Sequence, residues 1–205
     1  MKRLITIIVF MVIALSALAQ TPQEIVSRME DVMNANESRG IIMLVDIKMP
    51  LIGTITSKIY TLGDKTYTKG GMLGKRAYTW TDPETTYVYY PDNNEIVIED
   101  TEEDTDTETQ MFDSISDGYD LVLTSENQRA WHIRGRKKKD NKEKDAPKKL
   151  EIVISKADYR PLSLTAKDTF MTMTLHGVSF GVNPEKVTFD MKKHAGAKVT
   201  DQRKK

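Results

Sequence analysis

No cysteine occurs among the 205 residues. A chain without cysteine has no disulfide framework, so a packed core must hold it together. It also has no thiol nucleophile and no N-terminal cysteine on which to carry a lipid. A surplus of one charge is missing too: 30 basic residues face 30 acidic ones, which gives no reason to expect nucleic acid or an anionic membrane surface as a partner. After residue 18 no apolar run is long enough to cross a bilayer, which takes roughly 20 residues. His132, His176 and His194 lie without metal-ligand spacing, and there is no G-x-S-x-G elbow. Gly70-Gly-Met-Leu-Gly-Lys75 is not a phosphate loop: Lys69 stands where the first glycine belongs, and Arg76 where serine or threonine should follow the lysine. The acidic stretch after Ile98 lacks the spacing of a calcium loop. Asn36-Glu-Ser38 matches a glycosylation sequon only at chance level. With no residue set for bond-making, the expectation is a protein that is not an enzyme and needs no metal or cofactor.

What is present begins with Lys2-Arg3, the apolar run Leu4 to Leu18, and small residues at Ala17 and Ala19. This pattern predicts a secretory signal peptide over 1–19, cleaved before Gln20, and a single mature domain over 20–205. Removing Lys2 and Arg3 leaves 28 basic against 30 acidic residues.

Thr21-Pro22-Gln23-Glu24 is a capping box with proline at the first helical position, and Ile25, Met29, Val32 and Met33 follow on one helical face. Beyond it the pattern is β. Runs at 41–48, 54–62, 65–69, 76–81, 85–90, 95–99, 120–124, 130–134, 150–155, 162–166, 170–180 and 186–190 are rich in β-branched and aromatic residues and are separated by Gly, Asp, Asn and Pro turns. Met111-Phe-Asp-Ser-Ile115 is a candidate short helix. Hairpin spacing without alternating helices predicts one large antiparallel sheet.

Alternation then assigns faces. Leu150, Ile152 and Ile154 share one side, as do Leu162, Leu164 and Ala166, and Met171, Met173 and Leu175. One sheet face is expected to be apolar and the other mostly wet. Tyr78, Trp80, Tyr87 and Tyr89 crowd the first half, and alternation leaves open which side of the Tyr87–Tyr90 strand faces inward. With so little helix to cover it, the sheet either closes into a barrel or leaves a concave apolar surface under a thin lid. Nine methionines outside the leader suit either core filling or a cavity that accepts an acyl chain. Two charged blocks stand out: seven acids within 99–108, and nine basic against three acidic residues within 134–149. They are solvated loops or docking patches for two partners.

The tail carries the most specific pattern. Val187-Thr-Phe189 leads through a glycine turn at Gly196 into Val199-Thr-Asp201-Gln202-Arg203-Lys204. Together with the hairpin Trp80-Thr-Asp-Pro-Glu-Thr-Thr-Tyr87-Val-Tyr89-Tyr-Pro91 and the opening helix, it resembles the family of periplasmic outer-membrane lipoprotein carriers, the LolA family, across the whole mature chain. The resemblance implies an incomplete antiparallel β-barrel, a curled sheet of about 11–12 strands with a helical lid. It implies a periplasmic monomer that holds the acyl chains of lipoproteins. Cargo would come from an inner-membrane lipoprotein-releasing ABC transporter and pass to an outer-membrane acceptor. The groove would be lined by Tyr78, Trp80, Tyr87, Tyr89, Leu150, Ile152, Ile154, Leu162, Leu164, Met171, Met173 and Leu175, with Ile25, Met29, Val32 and Met33 on the lid helix. An alternative within the same fold is a sensor that binds lipid or lipoprotein without delivering it. Lys65 stands in a stretch where the family carries an arginine that latches the lid, so the latch is not transferred.

Overall fold

The computed structural model describes residues 20–72, 74–101, 114–143, 146–168 and 170–204. The expected signal peptide, most of the acidic block and the first part of the Met111–Ile115 helix lie outside the described residues.

Helix α1 (Pro22–Asn36) starts where the capping box placed it: the Glu24 N–H donates to Thr21 Oγ1 at 3.2 Å and the Thr21 N–H donates to the Glu24 carboxylate at 2.8 Å. A short 3-10 turn (Glu37–Arg39) follows, and the chain enters the sheet at Gly40, whose φ is +78°. A Cβ there would sit 2.6 Å from the Thr61 carbonyl oxygen and 2.7 Å from Val182 Cβ, so both the left-handed backbone and the close approach require glycine.

Twelve strands form one sheet: β1 (Ile41–Met49), β2 (Gly53–Leu62), β3 (Lys65–Met72), β4 (Lys75–Thr81), β5 (Thr85–Tyr90), β6 (Glu95–Asp100), β7 (Tyr119–Glu126), β8 (Ala130–Lys137), β9 (Lys149–Ser155), β10 (Pro161–Lys167), β11 (Thr172–Phe180) and β12 (Lys198–Asp201). Successive hairpins build two arms, β1 to β6 and β7 to β11. The arms are joined by an antiparallel seam between β1 and β11 in which Val45 faces Leu175. The sheet curls but stays open, with β7 and β12 at its edges. Short helices α2 (Ile115–Gly118) and α3 (Pro184–Val187) complete the chain.

Three expectations are corrected. Residues 186–190 are not a strand: Asn183 caps Pro184 at the first helical position, its side chain accepting from the Glu185 N–H, and the segment leaves the sheet. The last strand is instead β12, which pairs with β6 in parallel, Val199 beside Ile96. Nor is one face of the sheet uniformly wet. On the β1 side of the seam, Ile41, Met43 and Val45 point to the face that α1 covers, while Ile42 and its partner Tyr60 point to the other face, where a second apolar cluster forms.

Candidate functional site: an apolar groove under one helix

The main core is a groove with a single helix laid along it. Leu150, Ile152 and Ile154 on β9, Leu164 and Ala166 on β10, Leu175 on β11, Met43 and Val45 on β1, and Ile133 on β8 form its floor. Register brings them together: Ile152 faces both Leu164 and Ile133, and Leu164 faces Leu175. Helix α1 covers this floor with Ile25, Val26, Met29 and Met33, all buried. Val32 is only half-buried and sits at the margin.

Polar tethers hold the helix at its middle and at its N-terminal end. Glu30, at 9% exposure, accepts hydrogen bonds from the Ser116 N–H at 2.9 Å and from the Ser116 hydroxyl, tying α1 to α2. Toward the N-terminus the Tyr159 hydroxyl exchanges hydrogen bonds with the Gln20 side chain and accepts one from Arg28 at 3.1 Å, while the Arg28 guanidinium lies 5.3 Å from the Tyr159 ring centre. Tyr159 stacks on Trp131 and adopts a φ of +56°, a sparsely populated conformation for an aromatic residue that turns its ring toward the helix.

The groove opens at one end. There a cavity of about 420 Å³ is lined by Ala146, Pro147, Lys148, Ala166, Asp168, Met171 and Met173. Burial pushes the Tyr119 phenol up to about 12, and its hydroxyl donates to the Pro147 carbonyl at 2.9 Å, fixing one wall of the opening. Across the other arm the same face becomes polar: Thr61, Thr66, Thr81 and Thr86 follow one another in register, with Thr68 beside Thr79.

The aromatic residues lie on the opposite face. Tyr67 and Trp80 pack at 4.7 Å between ring centres, and Tyr87 stacks on Phe189 at 4.3 Å. Tyr78 joins the cluster around Tyr67, Val182 and Val187, and Tyr89 meets His194 at 4.4 Å. The Trp80 indole N–H donates to the Lys186 carbonyl at 3.2 Å. The C-terminal segment thus covers this face, and Asn94 bonding to the Gly196 carbonyl, with Lys198 pairing with Glu95, clamps it down. Burial depresses the His194 imidazole below its ordinary range.

The chain folds as an open, curled twelve-stranded sheet with helices on its faces, the incomplete barrel expected from the sequence. No protein-family model matches its sequence, and no curated protein matches it either. Among solved structures, an uncharacterized conserved protein from Thermus thermophilus is similar at 19% identity and a TM-score of 0.51, over 89% of this chain and all of that one. LprF from Mycobacterium bovis is similar at 8% identity and a TM-score of 0.51, over 79% of this chain and 93% of that one. The LolA superfamily protein NE2245 from Nitrosomonas europaea matches at 9% identity and a TM-score of 0.38, over 85% of this chain and all of that one. The first two of these likenesses describe the fold.

Of the twelve residues expected to line the groove, Leu150, Ile152, Ile154, Leu164 and Leu175 are buried together, with Met173 packed against them. Met171 sits at the opening, ahead of β11 rather than within a strand. Leu162 is turned out to 40% exposure because a register shift between Pro161 and Ser163 leaves it as the extra residue of a bulge. Tyr78, Trp80, Tyr87 and Tyr89 are not brought into the groove; the Ile42–Tyr60–Tyr67–Trp80–Tyr87 register carries them to the other side. Sequence reading missed Val26, Met43, Val45 and Ile133 in the groove, and the Glu30 and Tyr159 tethers. The alternation of Ile41, Met43 and Val45 was a readable signal for the floor; nothing local announced the tethers. Among the described residues no three His, Asp or Glu side chains are grouped to hold a metal ion, and no helix is long and apolar enough to cross a membrane.

Proposed function

We propose that this protein is a periplasmic carrier that takes the acyl chains of lipoproteins into the groove beneath α1, receiving them from an inner-membrane ABC transporter and delivering them to the outer membrane. The observation that carries the reading is that the main core lies between a curled sheet and one tethered helix, and is open at one end. The LolA-like fold and the predicted export signal support it.

Energetics make such a cover exchangeable. Burying Ile25, Val26, Met29 and Met33 contributes roughly 1.5–3 kcal/mol per side chain. One acyl chain of about 16 carbons gains about 0.8 kcal/mol per buried methylene. The two are of the same order, so cargo displaces the helix from the floor, and the returning helix competes for the same surface and favours release. Met29, Met33, Met43 and Met173 let the floor and lid repack around chains of different shape. The protein breaks no bond in this scheme; ATP hydrolysis by the transporter drives extraction from the membrane.

The test is release of a lipoprotein. Incubating the purified protein with spheroplasts carrying native partners yields a soluble complex with an acylated lipoprotein, and the complex transfers its cargo to outer membranes. Release without transfer would point to sensing rather than carriage. Absence of any release would remove the proposal.

A further inference from the structure

The antiparallel topology gathers five connections at one end of the sheet: β1–β2, β3–β4, β5–β6, β8–β9 and β10–β11. Two of these tips are neighbours, because the β1–β11 seam ends on Lys48 facing Thr172. From the first tip project Leu51, fully exposed, and Ile52 at 48%; from the second, Phe170 at 78% and Met171 at 45%. Leu51 has a φ of +70°, an unfavourable conformation for a leucine. At the opposite end, the described turns at 63–64, 82–84, 127–129 and 156–160 expose no large aliphatic, Met or Phe side chain.

Cations surround these tips. The β8–β9 connection belongs to the 134–149 block with its excess of six positive charges. Among the described residues none of Lys48, Lys75, Lys139, Lys142, Lys148 and Lys149 is in an ion pair, although Asp140 and Glu143 lie in the same connection and Asp168 beside the second tip. The groove opening lies between this basic connection and the β10–β11 tip. A chain of near-zero net charge therefore segregates its charge so that one rim is basic and studded with exposed apolar groups.

We propose that this rim docks on an anionic phospholipid bilayer. Leu51, Ile52, Phe170 and Met171 enter the boundary between headgroups and acyl chains, and Lys48, Lys148 and Lys149 meet lipid phosphates. Docked this way, the groove opening faces the membrane, so that an acyl chain leaving the bilayer passes along Met171 and Met173 without crossing water. The docking stands on the rim itself; only the direction of cargo rests on the carrier reading.

The experiment is flotation of the protein from Gln20 onward, which contains every described element of the fold, with vesicles of phosphatidylethanolamine and phosphatidylglycerol and with vesicles of phosphatidylcholine alone. Binding is expected to the anionic vesicles, to weaken with salt, and to fall about ten-fold or more in the Leu51→Ser/Phe170→Ser double variant and in the Lys148→Glu/Lys149→Glu variant. These positions are exposed, and unchanged thermal melting serves as the folding control. No binding by the unaltered protein, equal binding to neutral vesicles, or unchanged binding by the double serine variant would overturn the proposal. So would a sedimentation experiment in which the protein pairs with a second copy and the serine variant alone abolishes pairing. Uptake of a fluorescent fatty acid in detergent-free solution reads the groove separately. Serine variants that keep this uptake but lose the vesicles uphold rim docking. A groove variant that loses uptake but keeps the vesicles upholds it too, and counts against the carrier reading alone if cargo release persists.

Discussion

The carboxylate of Glu30 on α1 accepts both the backbone N–H and the hydroxyl of Ser116 on α2, with the carboxylate almost wholly out of solvent. A nearly buried carboxylate whose hydrogen bonds both come from one residue is a strong tether and a sensitive one, since losing a donor leaves an oxygen unsatisfied. Ser116→Ala removes the hydroxyl and should destabilise the folded protein by about 1–3 kcal/mol. If the tether holds the lid shut, the same variant takes up a fluorescent fatty acid faster than the unaltered protein. A lower melting temperature with no faster uptake would show that the bond serves the fold and not the opening.

The two faces of the sheet separate the proposed lipid binding from folding. Met173→Glu places a charge at the open end of the groove, where the residue is only half-buried, and should abolish fatty-acid uptake at modest cost in stability. Trp80→Ala, on the other face, should lower the melting temperature while leaving uptake affinity within about two-fold, a difference well below 1 kcal/mol. Reversal of that pattern would move the binding site to the aromatic face.

Truncation in the floor gives the energetic scale. Ile152 is 1% exposed and contacts strands on both sides, so Ile152→Ala should cost about 2–5 kcal/mol by chemical denaturation. A cost under about 1 kcal/mol would mean that the floor collapses readily around a void.

His194 links the C-terminal clamp to pH. Burial against Trp80, Tyr89 and Phe189 lowers its affinity for a proton; Asp190 opposes the shift and Lys193 adds to it. Because the folded form binds the proton less well than the unfolded form, the stabilisation is fully present above the ordinary value of 6.5 and is lost as pH falls from there through the lower folded value. Melting temperature should therefore drop on acidification across that range, and the drop should shrink in His194→Phe, which keeps a ring for Phe189 to stack on. Equal pH dependence in both proteins would assign the effect elsewhere.

Local chemistry made much of the fold legible. The Thr21–Glu24 box set the start of α1, and turn residues bounded eleven of the strands within a few positions. The aliphatic floor on β9, β10 and β11 followed from alternation alone. Alternation says which residues share a side, though, and not which side that is. Tyr87 and Tyr89 point together in either case; the face they occupy is decided by the pairing of Ile42 with Tyr60 and carried from there across three more strands. Val187 and Phe189 mimic a strand, yet Asn183 and Pro184 start a helical turn that swings them onto the aromatic face. Leu162 fell out of pattern through a single bulge. The placement of the aromatic strands was decided between segments far apart in the chain, whereas the Asn183–Pro184 turn and the Leu162 bulge were local events that alternation does not register.

The β1–β11 seam has a consequence for how the molecule comes into being. Val45 and Leu175 are separated by most of the domain, and β6 waits for a strand that begins at Lys198. The seam waits for β11 and the β6 edge waits for β12, and contacts of such long sequence separation form slowly. A chain built this way completes its sheet only in the last steps of folding, after both long-range pairings have formed.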